Sequence, residues 1–386
     1  MDVNWMIDSP FEQLPAGNPD ATALMVDGTD SMTYRELRNR RDEFVAILAH
    51  AGVQNGDRVG MLLLNSLDYV ALYFAIGRVG AIAVRLNFRL QSQELQFIID
   101  DAGCKVVFLH TSRLSQVEPI RRAVQVEHWY SLADNEDDAP DWAPPAPTLP
   151  PVDVDVDALP RPTGSDPLML MYTSGTTGRP KGVVGTHEGS LWLANSQAVK
   201  WSYTARTVAL TSGPLYHAAA FEVLLLPALM VHGTAVTMSS GGVTTERIVD
   251  AIERVRATNV MLYPFLLYDI LRDDTVNPER LGSLEVILTG GDAVLPWALR
   301  AIDAKLSGVQ LQQGYGMTEA AMVTCLDHEH RLAHPDSIGR PMPLVSIRVV
   351  GPEGRPVLAG EVGEIRIQAP WMTTGYWRRP EPRSTA

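Results

Sequence analysis

The chain has 386 residues and 42.3 kDa, a length that favours two or three domains or subdomains and buries enough apolar surface to need no staple. Its composition is globular, with 46% apolar and 20% charged residues, and a net charge of −13 argues against nucleic acid as a partner, since a phosphate-backbone binder needs a basic face. Cys104 and Cys325 stand far apart and in no metal spacing, which excludes a disulfide scaffold and a zinc ribbon, and no window holds the roughly 18 apolar residues of a membrane span. The acidic stretch from Met1 to Pro15 does not read as a leader, so a cytoplasmic protein is expected.

Along the chain, Thr33 with Glu36 three residues on forms a capping box ahead of Leu37, Phe44, Val45 and Leu48 on one helical face, closed by Gly52. Val59 to Leu64 reads as a buried strand, Leu67 to Val79 as a helix, Ala81 to Val84 as a strand, Glu94 to Asp101 as a helix ended by Gly103, and Lys105 to Leu109 as a strand. Alternation of this kind predicts a mainly parallel sheet covered on both faces. From Glu136 to Arg161 prolines crowd among acidic residues, and no apolar period survives, which marks a surface connection. The alternation then resumes, with a helix at Thr245 to Arg256, strands at Val260 to Leu262 and Glu285 to Leu288, a helix from Pro296 to Leu306 ended by Gly308, and a strand at Gln310 to Gln313. After Ser337 short strands at Ser346 to Val350 and Glu364 to Gln368 suggest a small all-β unit. The expected fold is therefore α/β, with two stacked, mainly parallel sheet-helix subdomains at 1–165 and 166–335 and a small β-rich subdomain at 336–386.

The most informative stretch runs from Leu168 to Val183, where an apolar strand enters a loop with two glycines, Gly175 and Gly178, four hydroxyls, Thr173, Ser174, Thr176 and Thr177, and one lysine, Lys181. Glycines let backbone N–H groups approach an anion, hydroxyls donate to its oxygens and the ammonium adds charge, so this composition fits a polyphosphate rather than an ordinary turn. The spacing is not that of a P-loop, because only two residues separate the glycines and Gly182 follows the lysine. No G-x-G-x-x-G stands at the first strand-helix junction, which counts against a dinucleotide dehydrogenase. A second constellation, Gln313-Gly314-Tyr315-Gly316-Met317-Thr318-Glu319, follows a predicted strand and offers an aromatic face, a hydroxyl and a carboxylate suited to Mg²⁺, although Glu319 alone reads more readily as a helix-start acid than as a metal ligand. A third, Leu288-Thr289-Gly290-Gly291-Asp292, again ends a strand with glycines.

Together these segments resemble the adenylate-forming superfamily of acyl-CoA synthetases, peptide-synthetase adenylation domains and luciferases. Tyr172 to Gly182 looks like its first signature, Gly314 to Glu319 like its second, and Gly360 to Ile365 with Gly375-Tyr376-Trp377 like a third; Asp336 to Pro341 and the Thr33 to Leu37 opening also fit. The resemblance implies that Thr173, Ser174, Gly175, Thr176, Thr177, Gly178 and Lys181 hold the ATP phosphates. It further implies that Gly290, Gly291 and Asp292 line the adenine, Tyr315 stacks on it within Gly314 to Met317, Thr318 touches the α-phosphate and Glu319 holds magnesium. His217, in Pro214-Leu215-Tyr216-His217, matches a position at the carboxylate and acyl pocket, although a lone histidine beside an apolar segment is ordinarily structural. Lys181, His217, Thr318 and Glu319 are the catalytic candidates. The implied reaction activates a carboxylic acid with ATP as its acyl adenylate and passes the acyl group to the thiol of coenzyme A.

Relatives of this kind continue past the position of Arg379 into a ribose-binding aspartate, a hinge and a small C-terminal domain with a catalytic lysine. The chain is thus expected to be the large N-terminal domain, with weak turnover. The acid pocket is expected from Ala218, Ala219, Ala220, Phe221 and Val223, with Thr289 and Met317 nearby. No acidic residue stands where amino-acid-activating relatives hold an α-ammonium, Glu222 being the one nearby candidate, which favours a fatty, aryl or polycyclic acid. The alternatives are a non-catalytic nucleotide- or acyl-binding module, a peptide-synthetase-type adenylation domain and a luciferase-like oxygenase. Oligomeric state is not legible.

Overall fold

Local signals set the first elements. Thr33 and Glu36 close both bonds of the capping box at the start of helix Tyr34–His50, Glu36 N donating to Thr33 Oγ1 at 3.1 Å and Thr33 N to Glu36 Oε2 at 2.8 Å. Helix Leu67–Arg78 is apolar all round, which suits only a core position, and 10 of its 12 residues are buried. Helix Ser92–Ala102 ends at Gly103, whose φ of 68° is left-handed and favours glycine. These elements belong to a computed structural model that describes residues 18–132, 138–146, 154–173 and 179–379.

Two mainly parallel sheets organise the described residues. The six-stranded sheet runs in the order His128–Leu132, Cys104–His110, Arg58–Leu62, Ile82–Arg85, Pro167–Thr173 and Lys181–Thr186, with only the last pair antiparallel. The nine-stranded sheet runs Arg340–Pro341, Ala321–Leu326, Gln310–Met317, Val286–Gly290, Asn259–Met261, Val208–Thr211, Thr234–Thr237, Thr22–Val26 and Asp30–Thr33, parallel except at its two edges. Period-two alternation splits each strand between two cores. Val59, Met61, Val106 and Phe108 of the smaller sheet and Ala209, Ala235 and Leu288 of the larger one share an interior cluster with helices Tyr34–His50, Leu67–Arg78 and His187–Lys200. Leu62, Val107 and Leu109 face outward beneath helix Ser92–Ala102, while Leu210, Val260 and Ile287 face helices Thr245–Val255, Pro264–Arg272 and Pro296–Lys305. The stacked α/β architecture expected from the sequence is therefore present, and strands Ser346–Val350 and Glu364–Gln368 pair as a separate antiparallel ribbon.

Two local expectations are corrected. The boundary placed between 165 and 166 runs through a sheet: Pro167–Thr173 pairs with Ile82–Arg85, and Thr22–Val26 crosses to pair with Thr234–Thr237. Gln310 to Gln313 is only half a strand, which continues to Met317 and folds back into Ala321–Leu326, so Glu319 sits in a hairpin turn rather than at a helix start. Glycine makes that hairpin possible, because a Cβ on Gly316 would lie 1.7 Å from Ala321 O. Phe221 to Val231 is not one regular helix. Phe221–Leu225 is a π-turn and Leu226–Met230 is α-helical, since Pro227 lacks an N–H and its ring excludes ordinary α-winding four residues back. Both cysteines are free and buried, and burial pushes each thiol up to about 12. Among the described residues no helix is long and apolar enough to cross a membrane.

Candidate active site

The polyphosphate candidate lies on the edge hairpin of the six-stranded sheet, where Thr173 stands directly opposite Lys181. Ser174, Gly175, Thr176, Thr177 and Gly178 lie outside the described residues. The Lys181 ammonium sits 4.9 Å over the ring of Tyr376, a cation–π contact that leaves its charge at the hairpin's mouth. Tyr376 in turn donates its hydroxyl to Glu319 Oε1 at 2.8 Å. Backbone bonds lock this arrangement. Trp377 N donates to Gly182 O at 2.8 Å, Val184 N to Gly375 O at 3.2 Å and Thr373 N to Glu319 O at 2.8 Å. The segment from Thr373 to Trp377 thus joins the lysine hairpin to the Glu319 hairpin.

The second and third glycine segments meet because their strands are parallel neighbours. Gly290 stands opposite Gly314, and a Cβ on Gly290 would lie 2.6 Å from Gly314 O, so the carboxyl ends of both strands can close up only with glycine. Gly291, Asp292 and Met317 lie at this edge, which is where open α/β sheets bind ligands, and Met317 is 40% exposed. Tyr315 is half-buried against Ala320, Val323 and Ile367.

Beside them opens a small cleft whose walls include Thr318, Glu319, Ala218, Glu222, Met171 and Trp371. Of the expected pocket residues, Ala218 lines it, whereas Ala220 and Phe221 are fully buried, Phe221 with its ring 5.1 Å from that of Tyr73. Helical geometry explains the correction: 218 and 222 are four apart and share a face, and 220 and 221 point the other way. Ala219 is half-buried and Thr289 is buried within the nine-stranded sheet, in strand Val286–Gly290. His217 is exposed on the loop next to Ala218, its ring 4.7 Å from that of Tyr216. Desolvation by the surrounding protein first, then the charges of Arg85 and Arg89, lower its pKa below the usual histidine range. Asn65 fixes that loop: its amide donates to Gly213 O, Thr237 Oγ1 and Met238 O at 2.9–3.0 Å, and its Oδ1 accepts from Leu215 N at 2.8 Å.

A sequence profile of AMP-binding enzymes matches residues 11–377. The chain belongs to that family. It is 37% identical over 367 residues to a feruloyl-CoA synthase of Amycolatopsis, covering 94% of this chain and 70% of that protein. It is 30% identical over 384 residues to the long-chain-fatty-acid–CoA ligase FadD13 of Mycobacterium tuberculosis, covering 98% and 72%. The crystal structure of the N-terminal domain of FACL13 from Mycobacterium tuberculosis superposes with a TM-score of 0.84 at 26% identity, over 97% of this chain and 92% of that one. AMP-binding enzymes share this large-domain fold, as the sequence resemblance implied.

The sequence reading assigned no role to Tyr376, Thr373, Asn65 or Arg85. Tyr376 was visible as part of a signature but without a contact to explain it. Arg85 carries a signal of its own, a guanidinium closing an otherwise apolar strand, and the structure buries it completely in an ion pair with Glu222. Tyr73 adds its hydroxyl to Glu222 Oε1 at 3.2 Å, and Arg85 Nε donates to Tyr69 Oη at 3.3 Å.

Proposed function

We propose that this AMP-binding enzyme activates a bulky, largely apolar carboxylic acid with ATP as an acyl adenylate and then forms the thioester of coenzyme A. The observation that supports the reading is the linked trio of Lys181, Tyr376 and Glu319, a cation and a carboxylate held to one aromatic ring, with Glu319 lining the cleft.

In this reading a carboxylate oxygen attacks the α-phosphorus of ATP, the bond to the bridging oxygen of pyrophosphate breaks, and the thiolate of coenzyme A later displaces AMP from the acyl carbon. Both partners of the first step are anionic, so charge neutralisation is the main task. Lys181, with Thr173 and the glycine-hydroxyl loop, would steady the β- and γ-phosphates. Thr318 would donate to the α-phosphate, and Gly290, Gly291, Asp292 and Gly314 to Met317 would bound the adenine, with Tyr315 as its stacking face. Glu319 is a hard oxygen donor held by one hydrogen bond from Tyr376, which fits a magnesium ion that takes most of its shell from phosphate and water. Such an ion supplies Lewis-acid polarisation of the phosphoryl oxygens. His217, with its pKa below the usual histidine range, would contact the carboxylate as a neutral hydrogen-bond donor. The identity to a feruloyl-CoA synthase supports an aryl acid ahead of an amino acid.

ATP–pyrophosphate exchange over a panel of carboxylic acids tests this. At least one aryl or fatty acid is expected to drive Mg²⁺-dependent exchange, and Glu319→Gln or Lys181→Ala to reduce it about a hundredfold, the scale for removing one transition-state charge contact. Absence of exchange with every acid, or exchange untouched by both substitutions, would refute the assignment.

A further inference from the structure

The acid cleft contains a group that the adenylation chemistry does not use. Glu222 lies on the π-turn Phe221–Leu225 and lines the cleft beside Ala218 and Met171, yet its side chain is fully buried. Oε1 is saturated by Arg85 and the Tyr73 hydroxyl, while no donor among the described residues reaches Oε2. A buried carboxylate oxygen without a donor is costly, so a donor reaching it from the cleft would be favoured. Arg85 is itself fully engaged, with Leu215 O, Tyr69 Oη and Glu222 around it, so it is not available to swing toward Oε2.

Resting on the adenylation reading, we infer that Glu222 is a specificity residue that accepts a hydrogen bond from an uncharged donor, a hydroxyl or an N–H, on the part of the acid remote from its carboxyl. Charge decides against an ammonium at this point. Arg85 already balances Glu222, and a second cation in a fully buried environment would go uncompensated. A purely hydrocarbon acid fits the apolar walls but leaves Oε2 desolvated and unpaired.

The test measures binding by calorimetry of two non-hydrolysable acyl-sulfamoyl-adenosines, one built on 3-(4-hydroxyphenyl)propanoic acid and one on 3-phenylpropanoic acid, to the whole chain. The hydroxylated mimic is expected to bind about 10- to 100-fold more tightly, the discrimination that an unpaired buried acceptor imposes. In the double variant Arg85→Met with Glu222→Leu, which removes both charges together so that neither is stranded, the preference is expected to fall to within about twofold. Equal affinities in the unmodified chain, or a preference that survives in the double variant, would overturn the inference while leaving adenylation intact. Failure of both mimics to bind would remove the adenylation reading and this inference with it.

Discussion

Asn65 is the residue whose removal should be felt furthest. It stands between the ends of strands from both sheets, and its four hydrogen bonds hold Gly213 to Leu215 and hence the loop presenting His217. Asn65→Ala leaves several buried backbone groups unpaired and is expected to cost about 2–4 kcal/mol in urea unfolding; a loss below about 1 kcal/mol would show that the loop is held by packing instead. His217 makes a second prediction. Its imidazole should titrate by NMR below the ordinary value near 6.5, and Arg89→Ala should raise the midpoint, because one of the two cations opposing protonation is gone. A midpoint that stays put would exclude Arg89 as a cause. At this scale the sequence was readable wherever chemistry is local. Glycines at 290, 314 and 316 and the hydroxyl run before Lys181 announce close backbone approach without any tertiary knowledge. Arg85 and Glu222 are 137 positions apart, and no spacing rule connects them.

Helix His187–Lys200 shows what an element can hide. Thr186 caps it in the ordinary way, accepting from Gly189 N at 3.1 Å, but the first helical residue, His187, is wholly buried and its pKa is lowered to about 4, chiefly by desolvation. A histidine depressed in the fold stabilises fully above its unfolded pKa near 6.5. The contribution is lost as pH falls from about 6.5 toward about 4, because the unfolded chain then binds a proton that the fold refuses. Over that window the loss amounts to roughly 3 kcal/mol, and a His187→Gln variant should show a flatter profile of denaturant midpoint against pH; parallel profiles for the two proteins would remove His187 as the cause. Capped helices such as Tyr34–His50 were legible because their termini are written in side chains. Strands Val208–Thr211, Thr234–Thr237 and Ala321–Leu326 were not recognised, being short, rich in threonine or small residues, and defined by neighbours distant in sequence.

For the whole molecule, the exchange of strands between sheets matters most. The alternation of helices and strands gave the architecture but placed a boundary at 165/166, because a linear reading assumes that successive elements stay together. Pro167–Thr173 pairs backward with Ile82–Arg85, and Thr22–Val26 pairs forward with Thr234–Thr237. A fragment spanning 166–386 would expose both Pro167–Thr173 and Thr234–Thr237 as open apolar edges. It is expected to lack a cooperative unfolding transition and to aggregate in size-exclusion chromatography; a sharp transition would show that the interleaving is dispensable.

The tie made by Tyr376 also carries a timing. It lies 57 residues after Glu319 and further still from Lys181, and both groups depend on it for their mutual placement. A ribosome adding about 5–20 residues per second needs roughly 3–11 s to travel from the carboxylate to its tether. Throughout that interval the nascent polypeptide carries the cation and the acid unjoined, so the order of synthesis itself delays assembly of the nucleotide-handling corner until the surrounding sheets have been made.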